Sequence, residues 1–214
     1  MYRIRALILL CLMVAAPAAF AQQYNIRSWS LEQGLPQSQV MAIQQDRKGF
    51  LWLATRAGLS RFNGFDFRTY TKDDGLSSHN ISTLFEDSHH RLWIGTTDAG
   101  LLYFNGATFE QYGVQQGLEA QAIRAISEDK AGRLWLATNK GVYILNDGQA
   151  LRYGALPETG FTSIAHTPAG EVWAGTETMG VYIVLGSEQR HYTTHNSALP
   201  DNEVTALLAG EDNQ

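Results

Sequence analysis

Six histidines are the side chains of this sequence best suited to proton transfer or metal binding: His79, His89, His90, His166, His191 and His195. A neutral imidazole ligates a divalent metal, and an imidazole near its ordinary pKa exchanges a proton at neutral pH. Both uses need convergent partners, and the spacing of these six fits no zinc pattern. Cys11 is the single cysteine and falls in an apolar leader. The mature chain therefore offers no thiolate for a metal, a disulfide or a covalent intermediate. No catalytic residue, metal or cofactor is assigned, and the chain by itself is not expected to be an enzyme.

A second group of side chains could recognise rather than react. Arg56, Asp98, Asn139, Lys140 and Glu177 each stand just after a threonine that ends a recurring phrase. Gln39, His79, Asn80 and Gln121 stand just before the segment that opens each recurrence. Charges of both signs mixed with amides suit an extracellular polar ligand, such as a carbohydrate. They vary while the surrounding phrase does not, the pattern of a scaffold that carries recognition on its loop tips.

The phrase itself is written four times: "GFLWLAT", "HRLWIGT", "GRLWLAT" and "GEVWAGT". Its tryptophans, Trp52, Trp93, Trp135 and Trp173, are 41, 42 and 38 residues apart. Leu35, Leu76, Leu118 and Leu156 each precede their tryptophan by 17 residues, and Val40, Ile81, Ile123 and Phe161 by 12. Periods near forty, rich in short strands, belong to propeller blades. Each period reads as a β-branched strand, a turn opened by Asp46, Asp87 or Asp129 and closed by Gly49 or Gly132, then the tryptophan strand and two more. His90 stands where the second copy should have its glycine. In the first repeat Asn63-Gly64 marks the hairpin between strands three and four. The expected fold is an all-β propeller of four-stranded antiparallel blades. Its tryptophans fill the gaps between blades, with Ala54, Gly95, Ala137 and Gly175 making room for them.

The blades are expected over 36–75, 76–117, 118–155 and 156–198. Residues 199–214 would start a fifth, because Leu199 and Val204 keep the repeat spacing. Residues 22–35 would be a lone outer strand that closes the last blade, since Tyr24–Leu35 matches Phe65–Leu76. On this reading the chain is part of a longer protein. Residues 1–21 carry two arginines, an apolar run and an A-x-A end, the pattern of a secretory signal peptide. An uncleaved anchor is the other reading, although the run is short for a spanning helix. The formal charge of −5 and the lack of a basic stripe argue against a nucleic-acid partner.

The order GL(P/S), V-x-x-I, D-x-x-G, LW-[IL]-[GA]-T, GL and a terminal N-G resembles the two-component regulator propeller family. "GLPQSQVMAIQQDRKGFLWLATRAGLSRFNGFDFRTY" carries it most fully, and the fourth copy departs furthest, with Thr167 in place of the turn Asp. The resemblance implies a periplasmic ligand sensor from a bacterial receptor, dimeric and anchored in the inner membrane through regions after this chain. Its output would be a histidine kinase or a diguanylate cyclase. Two alternatives stand beside it. One is a secreted enzyme of the streptogramin-lyase type, which uses a histidine and a divalent metal at the propeller mouth. Here His89 and His90 fall at the opposite end of their blade, and His166 lies near the equivalent turn of blade four. The other is a propeller that docks a partner and binds no small ligand. Sialidase-type Asp boxes are set aside because their Asp-x-Gly spacing differs.

Overall fold

Alternating apolar and polar residues, cut every five or six positions by a turn, leave this chain little choice but short antiparallel strands. The computed structural model describes residues 26–210. The expected signal peptide, the beginning of the 22–35 segment and residues 211–214 lie outside the described residues.

Among the described residues sixteen strands form four sheets, each of four consecutive strands in meander order. Blade 1 comprises β1 (Val40–Gln45), β2 (Leu51–Thr55), β3 (Gly58–Phe62) and β4 (Phe67–Tyr70). Blade 2 comprises β5 (Ile81–Glu86), β6 (Leu92–Thr96), β7 (Leu101–Phe104) and β8 (Phe109–Tyr112). Blade 3 comprises β9 (Ile123–Glu128), β10 (Leu134–Thr138), β11 (Gly141–Asn146) and β12 (Gln149–Arg152). Blade 4 comprises β13 (Phe161–His166), β14 (Val172–Thr176), β15 (Val181–Leu185) and β16 (Glu188–Tyr192). The first strands of successive blades lie against one another, which puts them on the inner side of the arc. Each first strand carries a bulge at the same place, between Val40 and Ala42, Ile81 and Thr83, and onwards through the repeats.

Burial follows the stacking. Trp52 packs with Leu84, Leu92 and Phe104 of blade 2, Trp93 with Leu118, Ile126 and Leu145 of blade 3, and Trp135 with Leu156, Phe161 and Val184 of blade 4. These three indoles are 1–4% exposed. Trp173 is only half-buried, because no complete sheet lies beyond blade 4 among the described residues. Leu51 and Leu53, on the other face of blade 1, are half-buried for the same reason, whereas their counterparts Leu92 and Ile94 are buried.

Three details differ from the sequence-based expectation. The glycines before Thr96 and Thr176 are closed in by their own blade's first strand, through Thr83 and Ser163, and by the segment that follows their blade, rather than by the tryptophan. A Cβ on Gly95 would sit 3.1 Å from Ile123, and one on Gly175 would sit 2.6 Å from Val204. The β3–β4 connection is the four residues Asn63–Asp66, not a two-residue hairpin, because the Asn63 side chain accepts N–H bonds from Phe65 and Asp66. Finally, neither Ile26–Ser30 nor Glu203–Ala209 joins a sheet, since the strands each would pair with are not among the described residues. Val204 is nonetheless held on blade 4: its N–H donates to Thr176 O at 2.9 Å and its carbonyl accepts from the Thr162 hydroxyl.

Candidate functional site

A meander sheet has two ends, and the repeat treats them differently. At one end are the β2–β3 loops and the segments leading into each first strand; at the other are the β1–β2 and β3–β4 turns. The loop end is built on the threonines. Thr55, Thr96, Thr138 and Thr176 are fully buried, and each hydroxyl donates to the carbonyl of a glycine that starts the third strand (Gly58, Gly141) or immediately precedes it (Gly100, Gly180), at 2.7–3.0 Å. The same oxygens accept an N–H from the loop, as from Lys140 at 3.0 Å. Each loop is thereby tied down, and its variable side chains project from a fixed base.

The candidate recognition residues are mostly held within their own blades. The Arg56 N–H donates to Gln37 Oε1 at 2.9 Å. Asp98 accepts from the Ser78 hydroxyl at 2.5 Å and from the Asn80 amide at 2.6 Å, and the Ser78 bond is the main cause holding its carboxyl below the usual carboxylate range. Asn139 exchanges bonds with the backbone of Ala122. Glu177 reaches across blades, pairing with Arg124 of β9. The Gln121 carbonyl accepts from Gly100 N–H, which ties blade 2 to blade 3. Gln39 and Lys140 are exposed. His79 lies beside Gly58, and its Nε2 is buried without a partner. Among the described residues no hydrogen bond or ion pair joins Arg56, Asp98, Lys140 and Glu177 to one another.

The turn end carries an arrangement that the residue types alone did not announce. In blades 1–3 the tryptophan indole N–H donates to the carboxylate of the turn aspartate six positions earlier: Trp52 to Asp46 at 2.8 Å, Trp93 to Asp87 at 2.8 Å and Trp135 to Asp129 at 2.9 Å. The constant spacing of six was the signal available in the sequence. Burial pushes the Asp87 carboxyl up, but the Trp93 indole and the Arg91 backbone and guanidinium outweigh it and hold its pKa below the ordinary value. Blade 4 divides the same task. Thr167 takes the turn N–H of Glu171 at 3.1 Å, and Glu171 takes the Trp173 indole at 3.0 Å. Carboxylates also staple blades together: Glu86 accepts from Arg47 N–H at 2.8 Å and Glu128 from Ser88 N–H at 2.7 Å.

The histidines are dispersed. The Ser127 hydroxyl lies 2.9 Å from His166 Nδ1, and the imidazole packs edge-on against Trp135. His191 stacks on Tyr182 with ring centroids 4.0 Å apart. His89 and His90 sit in the β5–β6 turn, and His195 lies beyond β16. Among the described residues no three His, Cys, Asp or Glu side chains gather as a metal site.

Comparison with known proteins bears on these repeats directly. The two component regulator propeller model matches residues 34–57, 75–98 and 117–140, each running from the lead-in of a first strand to the loop after the tryptophan strand. Histidine kinase P4 of Formosa agariphila is 44% identical over 52 residues, 23% of this chain and 4% of the kinase. The extracellular domain assigned to the hybrid two component system BT3049 of B. thetaiotaomicron superimposes with a TM-score of 0.71 at 27% identity, over 80% of this chain and 27% of that one. Virginiamycin B lyase of Staphylococcus aureus shares the fold alone, with a TM-score of 0.66 at 14% identity over 84% of this chain and 63% of the lyase. The chain thus spans about a quarter of the matched ectodomain. The matched stretches fall in blades 1, 2 and 3, and each holds the first two strands of a four-stranded propeller blade.

Proposed function

We propose that this chain is the ligand-sensing propeller portion of a bacterial membrane receptor of the two-component kind, working outside the cytoplasm. The observation that carries the reading is the repeat, matched together with 27% identity to an extracellular domain of a hybrid two component system. Fold likeness alone would not support it, because propellers host many functions. The leader-like residues 1–21 agree with export, and no helix among the described residues is long and apolar enough to cross a membrane. The ligand would be a polar molecule such as a sugar, taken at the loop end by Arg56, Asp98, Lys140 and Glu177. The output, kinase or cyclase, would lie in other parts of the receptor.

A binding experiment tests the reading. Neutral and acidic oligosaccharides are titrated into the intact receptor ectodomain, and tryptophan fluorescence and melting temperature are followed. A sugar that raises the melting temperature in the parent, but not in Arg56→Ala/Asp98→Ala or Lys140→Ala/Glu177→Ala, supports it. Turnover of an added substrate that stops on chelation would instead establish a lyase-type enzyme. Saturable capture of a protein domain, with no response to any small ligand, would establish a docking propeller.

A further inference from the structure

We infer that the crevice between blades 1 and 2 at the turn end is an oxyanion-binding site, separate from the loop end and independent of the sensor reading. The crevice encloses about 400 Å³. Arg47, Lys48, Arg61 and Arg91 line it, against two carboxylates, Asp46 and Glu86, on a chain whose formal charge is −5. Both carboxylates are already engaged. Asp46 accepts from Lys48 N–H, Phe50 N–H and the Trp52 indole, and Glu86 accepts from Arg47 N–H. Arg91 is paired with Asp87, so Arg47, Lys48 and Arg61 face the two carboxylates and leave the lining with a small net positive charge.

The repeat shows which of these residues are departures rather than framework. Arg61 pairs in register with Trp52; the residues paired with the other tryptophans are Tyr103, Ile144 and Ile183. Two positions before the tryptophan, blades 2 and 3 place Arg91 and Arg133, each bonded through Nε to its turn aspartate. Blade 4 places Glu171 there, paired with Arg190. Blade 1 alone has Phe50, and the Arg61 guanidinium lies over that ring, 4.5 Å from its centroid. Among the described residues no carboxylate pairs with Arg61. A guanidinium flattened on an aromatic face keeps its edge N–H groups free for a planar or tetrahedral oxyanion.

A second departure lines the same crevice. His90 holds φ = 63° where the other turns have Gly49, Gly132 and Gly170, all at positive φ. Histidine is one of the few non-glycine side chains that tolerate this left-handed region, so the turn keeps its shape while gaining an imidazole. Its Nε2 meets Arg47. Arginine can only donate, so Nε2 is the acceptor, and Nδ1 lies 3.7 Å from Glu86. That contact holds Arg47 at the rim of the crevice. Phe50 and Tyr103 supply apolar walls, so the ligand class is a small molecule bearing a carboxylate, sulfate or phosphate.

Calorimetric titration of the full chain with sodium sulfate and sodium glucuronate separates a free inorganic ion from an oxyanion on an organic body. Glucose and matched sodium chloride serve as controls. The expected result is one saturable site for at least one of the two oxyanions, weakened at least tenfold in Arg61→Gln. Phe50→Glu should abolish binding as well, by giving Arg61 an intramolecular carboxylate, while leaving Arg61 in place. Arg133→Gln, in the crevice between blades 3 and 4, should bind as the parent does. The site is overturned if neither oxyanion saturates beyond the chloride control, if Phe50→Glu binds undiminished, or if Arg133→Gln loses as much affinity as Arg61→Gln.

Discussion

The Nε1 of Trp93 lies 2.8 Å from Oδ2 of Asp87, across the β5–β6 turn, with both residues buried. One carboxylate therefore serves two purposes. Its Oδ1 accepts the turn N–H groups of His89 and Arg91, both at 2.9 Å, while Oδ2 holds the indole that fills the space between blades 2 and 3. Local turn geometry and interblade packing are locked to each other by a single side chain.

Asp87→Ala should destabilise the chain by roughly 2–3 kcal/mol, because it leaves a buried indole N–H and turn N–H groups without their acceptor. Asp129→Ala should cost less, since Asp129 is more exposed. Both carboxyls titrate below 3.8 in the folded chain. Their contribution is complete above the unfolded value and is lost as pH falls through the lower folded values. Urea unfolding of the parent and both variants at pH 7 and pH 3 checks the ranking and the sign.

His166 should make the fold acid-sensitive at a milder pH. Burial pushes its pKa below the ordinary 6.5, outweighing the attraction of Asp129. The folded chain thus favours the neutral ring. Stability is complete above about 6.5 and declines as pH drops from there towards the lower folded value. Melting temperatures between pH 8 and pH 5 should fall more steeply for the parent than for His166→Gln. Parallel curves would contradict this.

Two glycines with similar backbone angles should respond differently to alanine. Gly180 and Gly170 have φ of 77° and 89°. A Cβ on Gly180 would collide with the Tyr192 carbonyl oxygen, whereas one on Gly170 would meet nothing within 4 Å. Gly170→Ala should cost about 1–2 kcal/mol, the conformational penalty alone. Gly180→Ala should cost clearly more, because a backbone carbonyl must also move. Chemical denaturation of the two variants side by side decides it.

The tryptophans should rank by what lies beyond them. Trp93→Ala removes a side chain that is 1% exposed and should cost about 3–5 kcal/mol. Trp173→Ala, at the half-buried position, should cost less than half as much in the same chain. Equal losses would mean that blade 4 is covered as fully as blade 2.

Periodicity makes the blades legible in the sequence alone. Offsets of 17 and 12 residues from each tryptophan and a turn aspartate six before it are local rules, and a sheet of consecutive antiparallel strands obeys local rules because each strand pairs with its sequence neighbour. The recurring threonines and the departure of the fourth copy are readable in the same way. What each side chain meets in the next blade is not. Gly95 accommodates Ile123 and Glu86 caps the Arg47 N–H only because two sheets stack at a particular distance and twist. These contacts join residues 28 and 39 positions apart in different sheets, and pairing between sequence neighbours does not fix which atoms meet there. Loop residues such as Arg56 and Asp98 can be named from their variability, but their partners Gln37 and Ser78 are decided only when the chain closes each loop onto its own lead-in segment.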